Sequence, residues 1–177
     1  MNKYFKTILF LALPLAFLLG CSKQSSTTSS SSTPETTEVK TSESSTTEKK
    51  SELKTATFVN DSQPGVVSTL TYTVDGDNVV KQTAHNVADP EVLNNTADAV
   101  KSVLEETYKG YKGLKGVTFS IEVKDGKVVQ DLEIDLSVAS IDELRKALPE
   151  EYSGVGKNVS FKASKKMLTD LGYTEKN

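Results

Sequence analysis

The sequence holds one cysteine, one histidine and no tryptophan in 177 residues. A lone Cys21 cannot close an internal disulfide, and a lone His85 leaves a His-based triad or a classical zinc site without company. No nucleophile elbow accompanies His85, which falls at the end of an expected strand and reads as an ordinary exposed or half-buried imidazole. Basic charge is not in excess either: 21 Lys and Arg stand against 24 Asp and Glu, a net of −3. Nucleic-acid phosphates demand clustered Lys and Arg, so no nucleic-acid partner is expected, and charge alone would not hold the chain on an anionic membrane. A long apolar run is missing too. The longest, residues 8–19, rises only about 18 Å as a helix, short of the roughly 30 Å of a bilayer core.

That short run is nonetheless the most informative stretch. Lys3 and Lys6 precede it, and it ends in Leu18-Leu19-Gly20-Cys21, the layout of a secretory signal followed by a cysteine. The four residues resemble a lipobox, with Leu19 where the usual form has Ala or Ser. The resemblance implies a signal peptide over residues 1–20 and a diacylglycerol thioether on Cys21. The mature chain would then sit on the extracytoplasmic face of the cell membrane, held by lipid. A plain signal peptide is the bland alternative. A second alternative gives the function to the signal itself, because residues 14–20 resemble peptide pheromones.

Residues 22–52 contain 11 Ser and 8 Thr, no aromatic residue and Val39 as the one large aliphatic. Such a segment cannot bury enough apolar surface to offset its conformational entropy, so residues 21–52 read as a lipidated cysteine and a disordered tether. About 31 flexible residues have a root-mean-square span of roughly 30 Å, enough to lift a domain off a bilayer.

Residues 53–177 read as one globular domain. Residues 68–74 alternate Leu70, Tyr72 and Val74 with Thr, turn at Asp75-Gly76 and return through residues 79–85. Residues 117–123 turn at Asp125-Gly126 and return from Val128 to Leu136. Period-two alternation around Asp-Gly is a hairpin signal. A further strand is expected near residues 55–60. Three helices are expected: one opened by Asp89-Pro90-Glu91 and running to about Tyr108, one opened by the Ser140-Ile141-Asp142-Glu143 capping box and stopped by Pro149, and one from about Ser164 to Gly172 with Met167, Leu168 and Leu171 inward. The fold class is α+β, an antiparallel sheet built from two or more hairpins with about three helices packed on it.

This order of pieces resembles the small YehR-like bacterial lipoproteins. The residues that carry the resemblance are Leu70-Thr71-Tyr72 with Gly76-Asp77-Asn78-Val79-Val80-Lys81-Gln82, Tyr111-Lys112-Gly113-Leu114-Lys115-Gly116-Val117, Leu132-Glu133-Ile134-Asp135, and Met167-Leu168-Thr169-Asp170-Leu171-Gly172-Tyr173. The resemblance implies a lipid-anchored α+β domain with no established activity, and the long tether suggests a thick-walled Gram-positive host. Only Cys21 carries over as a functional residue.

Two further stretches offer chemistry. The glycines and lysines of residues 110–116 follow a helix and lead into a strand, the reverse of a phosphate loop, so Gly110 reads as a helix C-cap. Asp131, Glu133 and Asp135 alternate along one strand, where Glu122 of the partner strand can join them. Carboxylates about 6.6 Å apart suit a ligand, a divalent cation or acid/base work, yet they equally suit the wet side of a half-buried hairpin. The expectation is therefore a monomeric, non-catalytic surface lipoprotein without cofactor or metal. It would bind a cell-envelope or host protein or a small ligand, with a small envelope enzyme or cation-binding domain on residues 131–135 as the alternative. Cys21→Ala is expected to release the protein into the medium or leave an unprocessed precursor, because two or more acyl chains make a stable anchor and a missing thioether removes them. Fractionation of mature mutant protein with membranes would refute the anchor.

Overall fold

The computed structural model describes residues 52–176. The signal, Cys21 and the tether up to Ser51, with the pheromone reading, lie outside the described residues. Six strands are formed: β1 (Lys54–Asn60), β2 (Val66–Asp75), β3 (Asn78–Ala88), β4 (Val117–Lys124), β5 (Lys127–Asp135) and β6 (Thr174–Lys176). They make one sheet in the order β4-β5-β3-β2-β1-β6, every pair antiparallel. Both expected hairpins are present and close with two residues, 76–77 and 125–126. The strand expected near residues 55–60 is β1, which fills the sheet beside the first hairpin and receives the short β6 on its other edge.

Among the described residues four helices follow the pattern less closely: α1 (Ala97–Thr107), α2 (Ile141–Ala147), α3 (Pro149–Tyr152) and α4 (Phe161–Asp170). The first starts seven residues after the expected Pro90. Asp89 does accept from the backbone N–H groups of Glu91 and Val92, but Asn94 then adopts φ 52° and breaks that turn. Thr96 supplies the working cap by accepting from Ala99 N–H. Ser140 caps α2 as expected, and Pro149, rather than only ending it, begins the extra turn α3. Helix α4 starts earlier than expected because Ser160 caps it and Asp77, from the first hairpin turn, accepts from Lys162 N–H at 2.7 Å and Ser160 Oγ at 2.8 Å. These two hydrogen bonds, the backbone one first, hold the Asp77 carboxyl below the ordinary range. The helix ends as expected at Gly172, φ 85°, with Tyr173 N–H bonded to Leu168 O, but Leu171 is 46 % exposed and does not point inward.

Alternation decides the layers. Phe58, Leu70, Tyr72, Val79, Ala84, Val128, Leu132 and Ile134 face inward and are buried, while Thr57, Thr71, Thr83, His85, Asp131 and Glu133 face outward and stay wet. The helices bring Val100, Leu104, Leu144, Tyr152 and Leu168 onto the inner face. Phe161 of α4 meets Phe58 and Tyr72, with ring centroids 6.3 and 6.1 Å away. Gly110 is not the helix C-cap, a place held by Tyr108. It lies in a single 3-10 turn (Lys109–Tyr111), where a Cβ would come within 2.7 Å of Leu148 Cδ2. Among the described residues no helix is long and apolar enough to cross a membrane.

Gly116 and Gly126 separate two roles of positive φ. Both sit near φ 76°, yet a Cβ on Gly116 would lie 2.7 Å from Ala139 N and 2.9 Å from Asp135 O, whereas one on Gly126 meets nothing within 4 Å. Gly126→Ala should therefore cost about 1 kcal/mol, the left-handed penalty alone, and Gly116→Ala more than about 2 kcal/mol because backbone must also move. Urea unfolding midpoints check this, and equal losses would show that the close approach is not rigid.

Candidate functional site

The outward face carries the sequence-predicted residues. On β5, Asp131, Glu133 and Asp135 project together, and the register sets His85, Thr83 and Lys81 of β3 opposite them in that order. From the other side β4 sets Ser120 opposite Asp131 and Thr118 opposite Glu133. These residues border a shallow groove of about 360 Å³ across β3, β5 and β4, lined by Thr83, His85, Thr118, Ser120, Asp131 and Glu133 over the backbone of Ala84 and Leu132.

Each carboxylate of the acidic strand already has a neighbour. His85 Nδ1 lies 2.6 Å from Asp131 Oδ1, and Lys81 Nζ lies 2.8 Å from Glu133 Oε2. Asp135 accepts from Ser137 N–H at 2.9 Å and from the Ser137 hydroxyl, which hold its carboxyl below the ordinary range. Glu122 shares the face but meets Lys124 Nζ at 2.8 Å, an ion pair that raises the lysine. The structure thus brings Asp131 and Glu133 to the groove and leaves Asp135 and Glu122 at its margins. Among the described residues no three His, Cys, Asp or Glu side chains gather as a metal ion would require. His85, read from the sequence as an ordinary exposed or half-buried imidazole, is indeed 53 % exposed, and it lines this groove.

Sequence reasoning missed a second polar group, inside the domain. Ser68, Asn86 and Gln130 lie opposite one another on the inward faces of β2, β3 and β5, all buried, and the Asn86 amide donates to Gln130 Oε1. Tyr72 and Gln82 form a second opposed pair. Among the described residues three buried amide atoms, Gln82 Nε2, Asn86 Oδ1 and Gln130 Nε2, have no hydrogen-bond partner, while the buried hydroxyls of Tyr72 and Tyr173 lie by Ser164 and Ser68. Nearby, Tyr111 Oη donates to Glu151, whose carboxyl is pushed up by burial while that hydrogen bond opposes the shift. Burial raises the phenols of Tyr72, Tyr108, Tyr111 and Tyr152. The signal for the amides was present: Gln130 interrupts Val128, Leu132 and Ile134, and Gln82 and Asn86 alternate with Ala84 and Ala88.

Residues 54–174 match a family model described as a protein of unknown function (DUF1307). An uncharacterised lipoprotein of Listeria innocua is 39 % identical over 116 residues, 64 % of this chain and 76 % of that protein. One of Listeria monocytogenes is 39 % identical over 117 residues, with the same shares. The NMR structure of the Escherichia coli YehR protein aligns with a TM-score of 0.53 at 18 % identity, covering 71 % of this chain and 92 % of that one, and so has the same fold.

Because the groove carboxylates are exposed and paired, changing Asp131, Glu133 and Asp135 together to Asn, Gln and Asn should alter stability by only tenths of a kcal/mol. Calcium or magnesium should shift the melting temperature of neither protein. A calcium-dependent rise confined to wild type would reinstate the cation site, since ligand bound only to the native state stabilises it by about 2.7 kcal/mol at a hundredfold excess over Kd.

Proposed function

This chain belongs to the DUF1307 family, proteins of unknown function, and from that premise we propose a lipid-anchored cell-surface protein whose open sheet face is a non-catalytic binding surface. The observation that carries the binding role is the one-sided packing: among the described residues the helices lie on the inward face, and the outward face of the sheet is left open with a groove across β3, β5 and β4. The His85–Asp131 hydrogen bond, the Lys81–Glu133 ion pair at its margin and the hydroxyls of Thr83, Thr118 and Ser120 line that groove, so the fitting partner is polar, an envelope or host protein or a small ligand. The anchor rests on Cys21 directly after the signal-like run, and the lipoprotein names of both Listeria relatives support it. The Ser/Thr-rich residues 22–52 would act as the spacer that lets the face reach its partner.

A photo-crosslinking amino acid at Thr83, in the groove, and at Ser102, on the exposed side of α1, tests the reading on intact cells. A discrete adduct from position 83 and none from 102 is expected. Equal labelling from both, or none from 83, would remove the face as the binding surface.

A further inference from the structure

The two edges of the sheet are finished differently. β6 is three residues long and charged, with Glu175 paired to Lys165 at 2.6 Å. β4 is eight residues long, Val-Thr-Phe-Ser-Ile-Glu-Val-Lys, with no proline and no charge before Glu122, and it pairs only with β5. The direction of its free groups follows from one bond. Asp135 N–H donates to Gly116 O at 2.8 Å, so even-numbered residues exchange hydrogen bonds with β5 and odd-numbered ones turn theirs outward. Val117 N–H finds Leu114 O at 3.2 Å, but the N–H groups of Phe119, Ile121 and Val123 have no backbone partner among the described residues. The side chains tell the same story. Phe119 and Ile121 are only half-buried and Val123 is 45 % exposed, whereas Leu132, Gln130 and Val128 beside them on β5 are buried. A long uncharged edge of this kind is a template for a further strand unless something occupies it.

We infer that β4 pairs antiparallel with β4 of a second copy of this chain, about a two-fold axis at Ser120. The sequence of the strand selects the copy and the register. With Ser120 opposite its own counterpart, Val117 faces Val123 of the second copy and Phe119 faces Ile121 of the second copy, so all four apolar residues meet apolar partners. No like charges stand opposite, because Glu122 faces Thr118 of the second copy and Lys124 faces Gly116 of the second copy. Shifting by two residues puts Ile121 on the axis and turns Val117 toward Asp125, or puts Phe119 on the axis and turns Val123 toward Lys115, and a shift of four puts Glu122 against its own counterpart. The symmetry is the commonest one, with the same patch on both partners. Anchoring to one membrane surface, as proposed above, would raise the local concentration of copies, although the pairing itself does not rest on the groove or its ligand. The consequence for the groove is direct: its β4 wall is Thr118 and Ser120, so Glu122 of the second copy would line its outer rim.

Cysteine cross-linking on intact cells tests the register with the full chain, because Cys21 is its only native thiol and wild type is the control. Residues on the axis that do not exchange backbone bonds lie about 4.5 Å apart between Cα atoms, within disulfide reach, so Ser120→Cys should oxidise to a dimer. The two copies of Glu122 are offset by four residues, about 13 Å, so Glu122→Cys should give at most roughly a tenth of that yield. Adding Val123→Pro to Ser120→Cys should abolish the dimer, since the Val123 N–H points away from β5 and its loss costs no bond to that strand. Equal yields from positions 120 and 122, no dimer from 120, or a Ser120→Cys adduct with a different protein would overturn the inference. Should Val123→Pro fail to fold, the ratio between positions 120 and 122 still decides.

Discussion

Phe58, Leu70, Ala84, Leu132 and Phe119 stand opposite one another across five strands, and the rest of the molecule follows from keeping that row dry. Side chains alternate along a strand, so a slip of one residue in any pair would carry threonines inward and the row outward. Once the row is fixed, the helices have only one face to cover. Helix α1 brings Val100 and Leu104, α4 brings Leu168, and the Asp77 side chain ties the start of α4 to the first hairpin turn. The opposite face is wet as a direct consequence, and the residues that border the groove are there because they are the out-of-phase partners of the buried ones.

The core pays a visible cost next to that row. Buried amide atoms without partners are each expected to cost about 1–3 kcal/mol, and three such atoms, on Gln82, Asn86 and Gln130, are clustered on β3 and β5 among the described residues. Asn86 and Gln130 offset part of it through their shared hydrogen bond, which exists only when residue 86 stands opposite residue 130. A two-residue slip of β5 on β3 would preserve the apolar alternation but separate the amides. Alternation forbids odd slips and the amide pair resists even ones, so together they determine a single register for the central strands.

Much of this was legible from local chemistry. Both hairpins were readable because Asp-Gly turns and period-two alternation are short-range signals, and the Ser140 cap and Gly172 stop likewise depend on a few adjacent residues. The start of α1 was not, because Asp89-Pro90 is a sound local cap that Asn94 breaks four residues later, and the true cap at Thr96 lacks a distinctive signature. The early start of α4 depends on Asp77, more than eighty residues away in sequence, so no local rule could supply it. β6 is three polar residues whose strand character comes only from β1 beside it. In the groove, the shared face of Asp131, Glu133 and Asp135 followed from alternation, but their partners His85 and Lys81 follow from the β3–β5 pairing, which joins two hairpins separated by α1.

The pairing of those charges bears on what kind of site the outward face can be. An acidic strand with bare carboxylates would attract cations and repel a second acidic surface. Here His85 and Lys81 meet Asp131 and Glu133 across the same strand boundary, and the groove presents these paired side chains between hydroxyls. A partner that docks there must replace water around groups already satisfied within the chain, so it gains through matched hydrogen bonds and shape more than through net charge. The N–H groups of Phe119, Ile121 and Val123 on β4 are the opposite case, with no backbone partner among the described residues. Face and edge meet at Thr118 and Ser120, whose side chains line the groove and whose strand carries the open edge.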